Sequence, residues 1–225
     1  MNRERRTFYQ RRGKRAFDLA AGVLIGVVTL PIQAATAIAV ARRLGRPVLF
    51  RQQRPGLDGA PFELVKFRTM TDARDSAGAL LEDAQRLPSF GRFLRSTSLD
   101  ELPEIYNVIR GDMSLVGPRP LLMQYLDRYS VLEQRRHEVR PGITGLAQVN
   151  GRNEASWAEK FALDVEYVDR CSLRLDISIL IATILPVFTR RGVSSTNHAS
   201  AIEFFPGVDH QRDWDRLIGS REQPT

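Results

Sequence analysis

Apolar and polar positions along the chain fall into blocks of different period. Leu19 to Ala41 reads LAAGVLIGVVTLPIQAATAIAVA and contains no charged residue. At about 1.5 Å of rise per residue, such a run is long enough to cross a hydrocarbon core of about 30 Å. Pro31 stands near its middle, where it deletes a backbone hydrogen bond and bends a helix. Lys14 and Arg15 precede the run, and Arg42, Arg43, Arg46, Arg51 and Arg54 follow it. Cytoplasmic flanks carry the excess of Lys and Arg, so both ends ask for the same side of a membrane. A helix hairpin broken at Thr29-Leu30-Pro31, entering and leaving by one leaflet, meets both demands. A kinked helix that crosses fully is the alternative. Asp18, just ahead of the run, then lies at the interface.

The period changes after residue 46. Pro47 to Gln52 and Phe62 to Arg68 flank a turn with Gly56, Asp58 and Gly59, which predicts a small β-hairpin. From Thr71 to Pro88 the chain is polar, with Leu80, Leu81, Ala84 and Leu87 at helical spacing, and a covering helix is expected. Phe90, Phe93 and Leu94 lead to Ser-Leu-Asp-Glu-Leu-Pro. Ile105, Tyr106, Val108 and Ile109 then form the buried face of a helix that ends at Gly111. Pro118, Pro120, Pro141, Gly142 and Gly145 turn the backbone around Arg119 and Arg140. Those turns either offer the arginines to phosphate or connect helices, with the arginines paired to acids such as Asp112. Trp157 to Tyr167 predicts a helix carrying Asp164 and Glu166. Ile177 to Phe188, opened by Asp176, is too short to span a bilayer; it lies in the interface plane or forms a core helix. The tail after Asn197, with Phe204, Phe205 and Trp214, folds back as a lid or stays loose.

Charge narrows the range of partners. The formal net charge is +7, and Lys occurs only at Lys14, Lys66 and Lys160. The first fifteen residues hold Arg3, Arg5, Arg6, Arg11, Arg12, Lys14 and Arg15 against Glu4. A basic arm of this kind suits an anionic membrane surface or nucleic acid. The arm has few interleaved aromatics and the apolar run follows it, which favours the membrane over nucleic acid. Cys171 is the only cysteine, so no intrachain disulfide forms, and it reads as a small core residue. His137, His198 and His210 lack zinc-ligand spacing. No Gly-rich phosphate loop supports a soluble nucleotidyltransferase.

The chemistry concentrates in Arg95 to Pro103. Asp100 and Glu101 stand at a helix start that parses in two ways. Ser98 is the N-cap with Glu101 three residues on, or Asp100 is the cap with Pro103 in the first turn. Either way Asp100 lies within a turn of a helix N-terminus, where it should stay ionised with room for a phosphate beside it. With Arg95 and Arg119 near in sequence, Asp100 suits the role of nucleophile in phosphoryl chemistry. Simple helix caps are the competing reading.

Three longer runs carry a resemblance: Ser-Leu-Asp-Glu-Leu-Pro, Gly-Asp-Met-Ser-Leu-Val-Gly-Pro-Arg-Pro, and Arg-Pro-Gly-Ile-Thr-Gly-Leu-Ala-Gln-Val-Asn-Gly-Arg-Asn. From near Lys14 to about Gly192 the chain resembles the bacterial sugar transferases. More narrowly, it is similar to the small monotopic polyprenyl-phosphate phosphoglycosyl transferases. That resemblance implies transfer of a phosphosugar from a UDP-sugar to polyprenyl (undecaprenyl) phosphate, with release of UMP. It implies Asp100 as the nucleophile that attacks the β-phosphate and forms a phosphosugar-enzyme. Glu101 then assists as a second metal ligand or as a base. Mg²⁺ would be the cofactor, with Asp100 supplying one ligand. Lys66 (in Lys-Phe-Arg-Thr-Met), Arg95, Arg119 and Arg152 would hold substrate phosphate.

The family's re-entrant helix, broken at a proline, falls at Pro31. The location implied is the cytoplasmic face of the bacterial inner membrane, with its anionic phospholipid as a partner and no nucleic acid. Two departures stand out: Leu146 where an aromatic is common, and Thr-Leu-Pro where Ser-Pro is usual. The expected fold class is α+β and mostly helical. Residues 1–45 form the basic arm and re-entrant membrane helix hairpin. Residues 46–225 form one membrane-associated catalytic unit, with a small β-hairpin and interfacial helices around a cytosolic active site. The rival is a membrane-anchored binding protein in which Asp100 and Glu101 only cap a helix.

Overall fold

The structure is a computed structural model that describes residues 7–150 and 155–189. A wide π-type turn, Tyr9–Gly13, leads into α1 (Lys14–Arg43), whose 30 residues extend about 45 Å. Helical backbone continues on both sides of Pro31. Thr29 Oγ1 donates to the Ile25 carbonyl at 2.7 Å, and Gln33 Nε2 donates to Thr29 Oγ1 at 2.9 Å. The turn where proline removes a donor thus carries a short polar relay, and back-bonding of this kind bends helices.

Among the described residues, the buried positions of α1 lie toward its two ends: Lys14, Asp18 and Gly22 at one, Thr36 and Val40 at the other. Between them Val23, Leu24, Val27, Val28, Leu30 and Ile32 are exposed. The helical run Tyr9–Arg43 is long and apolar enough to cross a membrane. A contiguous apolar surface of this size marks a contact with lipid or a partner.

β1 (Leu49–Pro55) and β2 (Pro61–Phe67) form the expected antiparallel hairpin, in register from Leu49↔Phe67 to Pro55↔Pro61. The helix expected over 71–88 is reduced to one turn, α2 (Asp83–Arg86). The Asp75 carboxylate accepts from the backbone N–H groups of Ala77 and Ala79, and Gly78 has φ +82°. Those local bonds outcompete the helical ladder. α3 (Ser89–Ser96) and α4 (Glu104–Arg110) follow, and Gly111 ends α4 in the left-handed conformation its sequence predicts.

A second sheet was not legible beforehand: β3 (Ser114–Val116) pairs in parallel with β4 (Gly142–Thr144). Glycines make this crossing possible. A Cβ on Gly117 would fall 2.4 Å from the Arg140 carbonyl, and one on Gly145 would fall 2.2 Å from that of Gly117. The Gly-Pro-Arg-Pro loop therefore leaves β3 pressed against the chain entering β4.

Between β3 and β4 lie the short α5 (Val131–Gln134) and a 3₁₀ turn, Arg135–Glu138; after them come α6 (Leu146–Asn150), α7 (Trp157–Arg170) and α8 (Leu173–Thr189). Ser156 and Glu159 form a reciprocal capping box at the start of α7. The main core gathers Leu64, Val108, Met113, Leu115, Val116, Tyr167, Cys171 and Ile179. Cys171 is a buried free thiol, as expected.

Asp176, fully buried, accepts from the Tyr9 and Tyr167 hydroxyls and from Lys14 Nζ, tying α1 to α7 and α8. Asp18 is also buried by protein, accepting from Ser114 Oγ and the Leu115 N–H. α8 packs one side into the core and leaves an apolar side uncovered. Ile179 faces the core while Leu173, Ile177, Ile181 and Ile184 are exposed. The described residues are mostly helical with two small sheets. The aromatic tail lies outside them.

Candidate active site

Asp100 sits in a 3₁₀ turn, Leu99–Glu101, between α3 and α4. Neither capping parse is realised. Ser98 is left-handed (φ 55°) rather than extended and makes no side-chain cap, and Pro103 occupies the N-cap position of α4. An N-cap needs β-region backbone to aim its oxygen at the free N–H groups, so a left-handed Ser98 cannot serve. Asp100 is less acidic than a helix start alone would make it. Burial first, and the Glu101 charge second, push its pKa up to about 6, against the pull of Lys66 and Arg95. Asp100 is nonetheless left without an ion-pair partner among the described residues.

Glu101 has the opposite fate. Its Oε1 accepts from Lys66 Nζ at 2.8 Å and from an Arg119 NH2 group at 2.6 Å. Burial pushes its pKa up, but Arg119 and Lys66 together outweigh this and hold it down to about 2. A carboxylate that acidic is a poor proton acceptor near neutral pH, so its position favours holding cations over acting as a base.

Lys66, projecting from β2, also lies 2.8 Å from Glu104 Oε1, and that oxygen makes no aligned hydrogen bond. Glu104 is 2% exposed, and burial raises its pKa. Arg95 on α3 donates from Nε to Thr69 Oγ1 at 3.1 Å and acts on Asp100 through its charge. Thus Asp100, Glu101, Lys66, Arg95 and Arg119 come together in one site. Arg152 lies outside the described residues.

The Arg119 loop has a support that sequence reasoning missed. Arg136 donates to the Arg119 carbonyl at 2.8 Å and to Asp164 Oδ2 at 2.7 and 3.0 Å. Its guanidinium is buried, touches the Tyr129 hydroxyl at 3.2 Å, and lies over the Tyr129 and Phe161 rings. The Arg119 loop is in this way bolted to α7. Arg54 was also missed, being read only as part of a basic flank. It shares the field of Arg119 and Glu104. Arg140 is not an Asp112 partner; its Nε donates to the Gly111 carbonyl and closes the end of α4. No local pattern marks these residues, because each contact joins segments far apart in the chain.

No cluster of three or more metal-ligating side chains occurs among the described residues. Mg²⁺ needs only one or two protein carboxylates when phosphate oxygens and water complete its shell. Asp100 fits that need. It is the carboxylate not claimed by a cation, and a metal would relieve the burial and the Glu101 repulsion that raise its pKa.

Residues 9–190 match the profile of the bacterial sugar transferase family. The uncharacterized sugar transferase EpsL of Bacillus subtilis is 54% identical over 191 residues, covering 85% of this chain and 95% of that protein. A UDP-glucose:undecaprenyl-phosphate glucose-1-phosphate transferase of Caulobacter vibrioides is 40% identical over 187 residues, 78% of this chain and 70% of the relative. The protein of the same name from Escherichia coli is 39% identical over 188 residues, and the match spans 79% of this chain but 40% of that longer protein.

Proposed function

The chain belongs to the bacterial sugar transferase family, and from that premise we propose that it moves a sugar 1-phosphate from a UDP-sugar to undecaprenyl phosphate. The products are undecaprenyl-diphosphate-sugar and UMP, in the first membrane step of glycoconjugate synthesis. The relatives whose names state this type of reaction supply the substrate class. One observation carries the mechanism: a buried, unpaired Asp100 carboxylate with its pKa near 6 stands beside Lys66, Arg95 and Arg119.

In the first half-reaction an Asp100 carboxylate oxygen attacks the β-phosphorus. The new Asp100–phosphorus bond forms as the bond to the bridging oxygen breaks, and UMP leaves with that oxygen. In the second, an oxygen of the lipid phosphate attacks the same phosphorus, and the Asp100 carboxylate departs regenerated. Two steps spare two anionic substrates from meeting directly. Lys66 and Arg119, held by Glu101 at rest, stand ready to take phosphate charge, with Arg95 beside Asp100 and Arg152 a further contributor. Mg²⁺, with Asp100 as a ligand, would neutralise the diphosphate and ease departure of UMP.

The exposed middle of α1 and the isoleucine face of α8 are the surfaces that would enter lipid. On this reading α1 enters and leaves one leaflet about a bend at Pro31, and the basic arm faces anionic phospholipid. The active site then lies at headgroup depth, at the cytoplasmic face of the inner membrane. The binding-protein rival rests on Asp100 and Glu101 being caps, and neither capping arrangement is formed.

UMP release from a panel of UDP-sugars, beginning with UDP-glucose, tests the proposal with undecaprenyl phosphate and Mg²⁺ present. Wild type should release UMP with at least one sugar, and a folded Asp100→Asn variant should not. Wild-type activity in that variant would remove the mechanism. Failure of every sugar in the panel would favour the binding protein.

A further inference from the structure

The cations around the carboxylates are not equally satisfied. Lys66 lies between Glu101 and Glu104, Arg119 is on Glu101, and Arg95 bonds Thr69. Arg54 differs from all three. One of its NH2 groups donates to the neutral Gln52 Oε1 at 2.7 Å, and its buried Nε has no acceptor among the described residues. A buried charged donor without an acceptor is costly, and proteins keep few of them.

Its charged surroundings make matters worse. The groups that act on Arg54 are Arg119, which repels it, and Glu104, whose charge is already drawn on by Lys66. The two guanidiniums are held near one another by the fold. Pro55 lines the same narrow cleft as Pro118, Arg119 and Pro120, so the end of β1 abuts the Gly-Pro-Arg-Pro loop. Arg54 itself is fixed opposite Phe62 in the hairpin register, on a rigid strand. Two guanidiniums on these abutting segments, one with an unused N–H, suit a phosphate.

Its place in the row says which phosphate. Lys66 pairs with Glu101, the neighbour of Asp100 in the Leu99–Glu101 turn. In the hairpin Lys66 stands opposite Phe50 and Arg54 opposite Phe62, so the two share a face four residues, about 13 Å, apart. Arg54 therefore stands at the end of the cation row away from the nucleophile. Resting on the transferase reading above, we propose that Arg54 and Arg119 form a subsite for the nucleotide-side phosphate, the one that departs as UMP. The phosphorus under attack sits nearer Asp100, between Lys66 and Arg95.

The subsite separates the two half-reactions. Arg54→Gln and Arg54→Lys in the full chain would be compared with wild type by UMP calorimetry, by KM for the UDP-sugar, and by discharge of isolated phosphosugar-enzyme to undecaprenyl phosphate. Arg54→Gln should weaken UMP binding and raise KM by roughly 10- to 100-fold, the scale of a lost charged hydrogen bond. Arg54→Lys should recover part of this, and discharge should stay within about twofold, since UMP has already left. The melting temperature should not fall, because an unsatisfied buried donor is removed. Unchanged UMP affinity in Arg54→Gln, with wild type active, overturns the subsite alone. Arg54-dependent UMP binding in a wild type that turns over no UDP-sugar supports the subsite and overturns the transferase reading. Should Arg54→Gln not fold, equal UMP affinity in Arg54→Lys and wild type overturns the subsite.

Discussion

Two buried charge clusters stand about a loop apart, and they are built to opposite standards. Around Arg136 each guanidinium nitrogen has an acceptor within the fold, from Asp164, the Arg119 carbonyl or the Tyr129 hydroxyl, and two aromatic rings cover its faces. Around Asp100 the accounts are open. Among the described residues Asp100 lacks an ion-pair partner, Glu104 Oε1 and Arg54 Nε lack aligned hydrogen bonds, and Lys66 and Arg119 share Glu101. A finished cluster resists change and serves as architecture. An unfinished one is completed by a ligand. The Arg119 loop joins them, with its carbonyl in the first cluster and its guanidinium in the second.

The comparison breaks most sharply at Asp100. Asp100→Asn should lower UMP release by about a thousandfold or more, the scale of losing a nucleophile. The same variant should melt no lower than wild type near pH 7.5, because a desolvated carboxylate is no longer ionised there. Parallel assays of activity and thermal unfolding check both halves. A large drop in melting temperature would mean that Asp100 is architecture after all.

Asp164→Ala should do the reverse. It leaves a buried guanidinium without its counter-ion, at a cost of about 3–5 kcal/mol. For a chain of this size that lowers the melting temperature by roughly 10 °C. What activity remains should be lost through unfolding and a looser Arg119 loop, seen as a raised KM. A variant with unaltered melting behaviour would refute the closed-cluster assignment.

Titration sharpens the contrast without mutation. Asp100 must be ionised to attack, so kcat/KM should rise as pH increases through about 6. A flat profile from pH 5 to 8, with chemistry limiting, would count against Asp100 as nucleophile. Stability moves the other way. The folded state binds the Asp100 proton more tightly than the unfolded chain, so its contribution is fully present below about 3.8 and lost as pH rises through about 6. Adjacent Glu101, held down to about 2, contributes stability above about 4.5 that is lost as pH falls through about 2. Neighbours in sequence thus carry linkage of opposite sign. Unfolding followed from pH 4 to 8 in wild type and Asp100→Asn isolates the first of these.

Glu104→Gln should have the smallest effect. Burial raises the Glu104 pKa against the pull of Lys66, and Gln keeps its shape. Only a few-fold change in kcat/KM is expected, with a shift in the acid limb as the Lys66 field is rebalanced. A loss comparable to Asp100→Asn would make Glu104 part of the chemistry.

The order in which sequence reasoning succeeded follows the range of the forces involved. The hairpin at 49–67 was legible because a turn and two alternating strands are written within twenty residues. The end of α4 was legible because Gly111 alone can take the left-handed cap without strain. Over 71–88 a helical spacing misled, since Asp75 made a stronger local bargain with the backbone. The parallel pairing of β3 and β4 left no such trace. It joins three-residue strands across the chain that carries α5, and its only mark is a set of glycines read as turns.

At the active site, the sequence by itself determined which side chains are present and that Asp100 and Glu101 share a turn near basic residues. It also determined that α1 would be apolar along its length. These are properties of short stretches of covalent chain. Tertiary structure decided how those side chains behave. It placed Lys66 and Arg119 on Glu101, left Asp100 without a pair, brought Arg54 out of a basic flank and into the site, and fastened the Arg119 loop through Arg136 to Asp164. The reason is physical. A carboxyl's charge state depends on burial and on the few charges within several ångströms, and the chain brings those neighbours from distant segments only when it folds.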